Sequence, residues 1–335
     1  MNFLEFCSMH RGYIFIFLAT VFFSSMEVAL KTVAADFHPM QLNCTRFLVG
    51  SLLLIPFAMR ALRQRSVSLS ASAWKGFSAL GFIGLVVSMM FYQTSILYAP
   101  ASAVSVLFSC NPILVLAFAA ILLHADIHPQ HITALVLEAI AAVIIIDPLH
   151  TNLDPVGVTL VLLSAATFAL YAVLGKKMCS RYSGIAVTCF SSLSASAQML
   201  LLMAASHIGP ISEALQSSGF SMFADIPFFS GYTAGNILNV IYICVFVTAG
   251  GYACYFMGME ATSAMQGSLV FFFKPVLAPI LAMIILGEII PWNMWLGIAI
   301  MLAASLISMI PTIQALHTLR PLLIDRILHR HTDLR

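Results

Sequence analysis

An all-α integral membrane fold, ten transmembrane helices in a five-plus-five inverted repeat around a central cavity, is what this sequence predicts. Three observations predict it. The first is composition: of 335 residues, 61% are hydrophobic and 8% charged, where soluble domains carry about 25% charged residues. The second is the recurrence of apolar runs near twenty residues, the length that crosses a hydrocarbon slab of roughly 30 Å at about 1.5 Å per residue. The third is an internal similarity between the two halves of the chain.

Ten runs recur, at 12–32, 41–59, 75–97, 101–123, 129–146, 156–175, 185–206, 236–258, 263–286 and 291–310. The first follows Met-His-Arg as a signal peptide would, but it is longer than the usual hydrophobic region of one and carries Glu27 and Lys31, so it is read as a helix. The connections sort by charge. Alternate loops and the tail hold Arg11, then Arg60, Arg63, Arg65 and Lys75, then Lys176, Lys177 and Arg181, then Arg320, Arg326, Arg330 and Arg335, while the opposite loops hold no Lys or Arg. Basic residues in short loops favour the cytoplasm, so both termini are expected there, in a bacterial inner membrane.

The repeat shows in two places. GYIFIFLATVFFSSMEVALK (12–31) aligns with GVTLVLLSAATFALYAVLGK (157–176), glycine over glycine and lysine over lysine, at an offset of 145. Residues 99–129 align with 261–291 at an offset of 162 or 163, with Pro112 over Pro275, Asp126 over Glu288 and Pro129 over Pro291. The expected units are therefore 11–147 and 155–311, joined by DPLHTNLDP and followed by a basic amphipathic tail, 312–335, suited to an anionic inner leaflet. Because five is odd, the second unit enters the membrane from the opposite face. Many secondary transporters are built this way, with the binding site near the midplane between the halves.

Charges inside the runs mark that site, because each costs about 2.5–3.5 kcal/mol on insertion scales and so faces an interior or a cavity. Lys274 lies halfway along its run with Pro275 directly after it. Proline favours a kink there, and freed carbonyls are tolerated mainly beside protein or water. A kink with a midplane cation suits a carboxylate or phosphate; the alternative is a structural pair with Glu138 or Glu27. Glu27 and Lys31 stand at i, i+4 in the order that favours a local ion pair, although Lys31 could equally reach headgroups. Arg46 could clamp a carboxylate in a bidentate manner or bond neighbouring helix ends. Glu138, among small residues in the fifth run, suits proton coupling or a bond to a neighbouring helix. Asn111 precedes Pro112 as Lys274 precedes Pro275, and Tyr92, Tyr171, Tyr252, Tyr255 and Gln266 supply further candidate lining.

Ten spans in this plan, with CTRFLVG opening the second helix, Lys31 closing the first and PVLAPILAMIILGE ending the ninth, resemble the EamA branch of the drug/metabolite transporter superfamily across residues 11–311. The resemblance implies a basket-shaped bundle whose central cavity is walled by both halves and braced by the fourth and ninth helices. It also implies transport, often export, of amino acids, amines, carboxylates, sugars or nucleotide-like metabolites. The chain departs from the pattern at FFSS (22–25), where a Trp-Gly pair is common, at Glu138, where glycine is usual, and at Lys274 before its proline. Those departures point to a specialised substrate.

Three basic and two acidic residues inside the runs give the cavity a slight positive lean. The expected function is secondary transport, by alternating access, of a small amino-acid-like or carboxylate-bearing metabolite, an amino acid or a derivative such as S-adenosylmethionine. Alternatives are export of drugs, amines or nucleotide-like metabolites, a channel or receptor, and an intramembrane enzyme, for which the sequence offers no HExxH, GxSxG or P-loop. The histidines of HADIHPQHI, His124, His128 and His131, read as loop residues ahead of metal ligands. No cofactor, metal or disulfide is expected. Expected partners are a small-molecule substrate and the lipid bilayer, with proton coupling and a homodimer left open and no nucleic acid.

Overall fold

The computed structural model describes residues 3–124, 129–147, 153–219, 221–267, 270–304 and 306–307. Asp126, His128 and the tail 312–335 lie outside these residues.

Helix α1 runs Phe3–Ser24, turns at Ser25 and continues as Met26–Thr32. The interruption has a local cause: Thr20, Ser24 and Ser25 each turn a hydroxyl back onto a carbonyl three or four residues earlier, which competes with the helical ladder and bends it. Helix α2, Pro39–Gln64, starts with proline in its first turn and with His38 as its cap, the ring nitrogen accepting from the Met40 amide at 3.2 Å. Helix α3 spans Ala71–Tyr98 through a π-helical stretch, Phe82–Val87, and α4 is Ala101–Phe108 followed, after Ser109 and Cys110, by Asn111–Leu123. Helix α5 is Pro129–Ile146, α6 Pro155–Tyr182 and α7 Gly184–Ser206. Helix α8, Ile237–Ala261, contains a second π-helical stretch, Ile243–Gly251. A short turn of helix, Ala264–Gly267, precedes α9, Val270–Leu286, and α10 is Trp292–Ala304.

Seven of these helices are long and apolar enough to cross a membrane, while α5, α9 and α10 stand at the other three expected runs as shorter apolar helices. The exterior fits that environment. Phe17, Ile121, Leu201, Leu238 and Ile284 are each at least 65% exposed, which suits hydrocarbon and would be a liability in water. Helix α9 continues through Pro275 and Pro279 without a break in its helical run. The equivalent stretch of α4 breaks at Ser109–Cys110, just before Asn111.

Packing comes in matched pairs. Helix α1 lies on α8 and α3 on α6; α2 lies on α7 and α4 on α9; α4 also touches α6 as α1 touches α9. The two aligned glycines make matching approaches. A Cβ on Gly12 would meet the Thr262 and Ala261 side chains at 2.7 and 2.9 Å, and one on Gly157 would meet those of Tyr98 and Ala99 at 3.1 and 3.2 Å. The aligned lysines do likewise. Lys31 donates to the carbonyls of Ile96, at 2.5 Å, and Ala99, at 3.2 Å, at the end of α3. Lys176 donates to Met259, Glu260 and Thr262 carbonyls at the end of α8. The last carbonyls of a helix have no intrahelical donor, and a cation there satisfies both their lone pairs and the helix dipole. Lys31 therefore neither pairs with Glu27 nor reaches for headgroups. At the far end of α9, Glu288 accepts from the Ala101 and Ser102 amides and the Ser102 hydroxyl, capping α4 from the other half.

Candidate functional site: a buried charge cluster

Three of the five charges expected inside the membrane, Glu27 on α1, Arg46 on α2 and Lys274 on α9, lie buried with Tyr92 of α3 beside the pair. Lys274, Glu27, Arg46 and Tyr92 are all 0% exposed. The Lys274 ammonium lies 2.5 Å from Glu27 Oε1. Tyr92 donates its hydroxyl to the same carboxylate oxygen, and Lys274 Nζ lies 3.5 Å from the Tyr92 oxygen. Glu27 Oε2 is buried without a hydrogen-bond partner. Around the ammonium stand three rings, Phe108 at 4.7 Å, Tyr92 at 5.5 Å and Phe271 at 5.6 Å from centroid to nitrogen, each a cation–π contact strengthened by burial.

Lys274 has no acid near it along the chain, yet the fold supplies one. Of the two intramolecular partners weighed for it, Glu27 is the one in contact. The positive charge expected to await a visiting anion at Lys274 is thus already neutralised in this conformation. The physical reason lies in α1: after the turn at Ser25, the segment Met26–Thr32 buries Glu27 with Met26, Val28, Ala29 and Leu30, and an unpaired carboxylate there would cost several kcal/mol.

Arg46 is the opposite case. Its Nε donates to Asn43 Oδ1 at 2.9 Å, its Nη1 sits 3.7 Å from the Met26 sulfur, and the guanidinium lies 4.6 Å over the Phe47 ring. Its Nη2 is buried with no hydrogen-bond partner, and Arg46 makes no ion pair among the described residues. Asn43 is held in turn, its amide donating to the Met89 carbonyl at 3.0 Å. A cation anchored on one edge by an amide and free on the other is a preorganised half of a carboxylate clamp.

An aromatic wall joins the two charges. Tyr252 meets Phe47 edge-on at 5.5 Å and Phe23 at 5.1 Å, while its hydroxyl points at the Met89 sulfur, 3.0 Å away. Phe168 contacts Tyr171, Tyr252, Tyr255 and Phe271, and Phe271 continues to Phe108. The Tyr255 hydroxyl is buried without a hydrogen-bond partner among the described residues, while that of Tyr171 faces Ser191. All four tyrosines singled out from the sequence thus sit in or beside the wall.

The other candidates lie differently. Asn111 is buried at the α4 break, but its amide donates to the Ala165 carbonyl at 2.9 Å, bracing α4 against α6. Glu138 is buried on α5, close enough to Cys110 to act on it electrostatically. Gln266 is half-buried in the short helix before α9, its backbone amide bonded to the Ser263 hydroxyl at 3.0 Å. Sequence reasoning missed Met26, Asn43, Phe108 and Phe271. Only Asn43 carried a signal, its i, i+3 spacing to Arg46 on one helix face.

Relatives decide the family. The profile of the EamA-like transporter family matches residues 10–147 and 155–310. The chain belongs to this family. EamA proteins form part of the drug/metabolite transporter superfamily, so this is a multi-pass membrane protein and a membrane transporter. A protein of Clostridium kluyveri named "Uncharacterized transporter" is 30% identical over 308 residues, 90% of this chain and 93% of its own. Another of the same name, from Archaeoglobus fulgidus, is 24% identical over 282 residues, 83% of this chain and 91% of its own. A solved structure, given as "Crystal structure of protein", superposes with a TM-score of 0.64 at 16% identity, over 89% of this EamA chain and 96% of its own; at that identity it speaks for the fold alone. These relationships favour transport over catalysis.

Proposed function

We propose that this EamA protein is a secondary transporter that moves a small amino-acid-like or carboxylate-bearing metabolite by alternating access. We read it as ten spans in two inverted five-helix units, 11–147 and 155–311, with both termini cytoplasmic. The matched packing of α1 on α8 and α3 on α6, and the paired lysine caps, support that arrangement.

One observation carries the substrate class: Arg46 is fully buried with an unbonded Nη2 and, among the described residues, no acid in contact, while Lys274 is satisfied by Glu27. Among the described residues the cluster therefore holds one uncompensated positive charge, fully buried. A carboxylate bridging Nη1 and Nη2 would replace a weak thioether contact by two charge-assisted hydrogen bonds, each contributing about 1.5–3 kcal/mol. The aromatic wall of Phe23, Phe168, Tyr252 and Tyr255 suits the rest of a substrate with a flat ring or a sulfonium, an adenosyl-bearing amino acid derivative such as S-adenosylmethionine included. The turn in α1 and the break in α4 interrupt two helices of the bundle, as in carriers whose halves rock about a central site.

The test is uptake of labelled amino acids into proteoliposomes, with and without a pH gradient. A carrier of this class gives saturable uptake, competed by the free acid and not by its methyl ester. Unsaturable flux would mean a pore, product formation an enzyme, and equal competition by acid and ester would remove the carboxylate from recognition.

A further inference from the structure

Glu27, and the three rings around the ammonium it holds, make a site more general than a helix–helix tie. We propose that Glu27, Tyr92, Phe108 and Phe271 form an alkylammonium subsite which the chain's own Lys274 fills in this structure, and that a primary amine of the substrate takes that place when Lys274 withdraws. This rests on the transport of an amino-acid-like substrate proposed above and adds the amine half of its recognition.

The geometry supports the exchange in three ways. A carboxylate with rings on several sides is the arrangement that recognises alkylammonium ions, because the quadrupoles of the rings and the anion act together. Phe108, Tyr92 and Phe271 lie within 5.6 Å of the nitrogen. Glu27 is also only half used: Oε1 takes both Lys274 and the Tyr92 hydroxyl, while Oε2 is buried and unbonded, so the site has acceptor capacity beyond what Lys274 fills. Finally, swapping one ammonium for another leaves the charge at Glu27 unchanged, and the lysine carries its ammonium on a flexible four-carbon stem.

A zwitterion completes the scheme. Its ammonium goes to Glu27 and its carboxylate to Arg46, with the displaced Lys274 ammonium beside that carboxylate, so the buried Glu27 carboxylate keeps a cation at every stage. When the carrier is empty, Lys274 returns to Glu27, and the cluster keeps the single positive charge that Arg46 gives it.

Methylammonium is the probe of whether this cage takes an alkylammonium other than the chain's own lysine. In purified Lys274→Ala the cage is vacated and Glu27 is left without its cation. Methylammonium chloride is then expected to raise the melting midpoint of that variant saturably, recovering most of its loss relative to wild type, by mass action on the folded state. Sodium chloride at equal ionic strength should not, and neither wild type nor Glu27→Gln/Lys274→Ala should respond selectively. Lys274→Met, whose side chain still fills the cage, should fold and ignore methylammonium. The proposal falls if methylammonium shifts Lys274→Ala no more than sodium does. It falls equally if Lys274→Ala cannot be recovered folded even with methylammonium present while the neutral pair Glu27→Gln/Lys274→Met folds. Loss of the carboxylate reading would leave this rescue unchanged, and loss of the rescue would leave the dependence on Arg46 unchanged.

Discussion

Removing one member of the Lys274–Glu27 pair should cost far more than removing both. The pair is 2.5 Å apart and fully buried, tying α1 to α9. Glu27→Gln leaves an ammonium among rings with no counter-charge; Lys274→Met leaves a carboxylate with only the Tyr92 hydroxyl. Breaking a buried pair from one side costs about 3–5 kcal/mol, whereas replacing both members by neutral groups of similar volume is often neutral. Each single variant should therefore lose about 3–5 kcal/mol, and Glu27→Gln/Lys274→Met should lie within about 2 kcal/mol of wild type. The assay is thermal unfolding in detergent, followed with a thiol-reactive dye, since Cys44, Cys110, Cys179, Cys189 and Cys244 are all buried and free. Additive losses in the double variant would refute the reasoning, because they would mean the two charges do not depend on one another.

The two lysine caps lie at the ends of different helices, so Lys31→Ala and Lys176→Ala should each lower stability by about 1–2 kcal/mol and combine additively in the same melting assay. His38, ahead of α2, donates through Nε2 to the Met222 carbonyl at 2.8 Å and accepts from Met40 through Nδ1. Burial holds its pKa below the ordinary histidine value, with the Met222 carbonyl pulling partly the other way. A lowered folded-state pKa means the unfolded chain binds the proton more readily, so this contribution is complete above about pH 6.5 and is lost as pH falls below it. Melting midpoints of His38→Gln should show a shallower acid slope than wild type between neutral and mildly acidic pH. Glu138→Gln should abolish the response of uptake to an imposed pH gradient if Glu138 carries the coupled proton; an unchanged response ends that role.

The sequence carried the fold further than it carried the site. Span-length apolar runs are legible because membrane thickness sets them, and the paired glycines and lysines at offset 145 marked contacts that the bundle then makes twice, Gly12 with Gly157 and Lys31 with Lys176. The helix interruptions were not legible. Proline drew attention to Lys274, but α9 runs through Pro275, while the turn in α1 comes from the back-bonded hydroxyls of Thr20, Ser24 and Ser25. At the site, the residue types were visible and the pairings were not. Glu27 stands one turn from Lys31, which suggested a local pair, yet Lys31 satisfies helix-end carbonyls and Glu27 serves a lysine at the far end of the chain. Local spacing can report only local partners. Arg46 looked ambiguous for the same reason, since its lack of an acid is visible only once every helix is in place.

The most direct measurement is uptake of labelled amino acid by proteoliposomes containing Arg46→Gln beside wild type and Arg46→Lys. If the unpaired guanidinium seats the substrate carboxylate, Arg46→Gln loses about 3 kcal/mol of recognition, on the order of a hundredfold in apparent affinity, and Arg46→Lys, which keeps the charge without the fork, recovers only part of it. Arg46→Gln protein that is folded and transports with wild-type affinity would contradict the account.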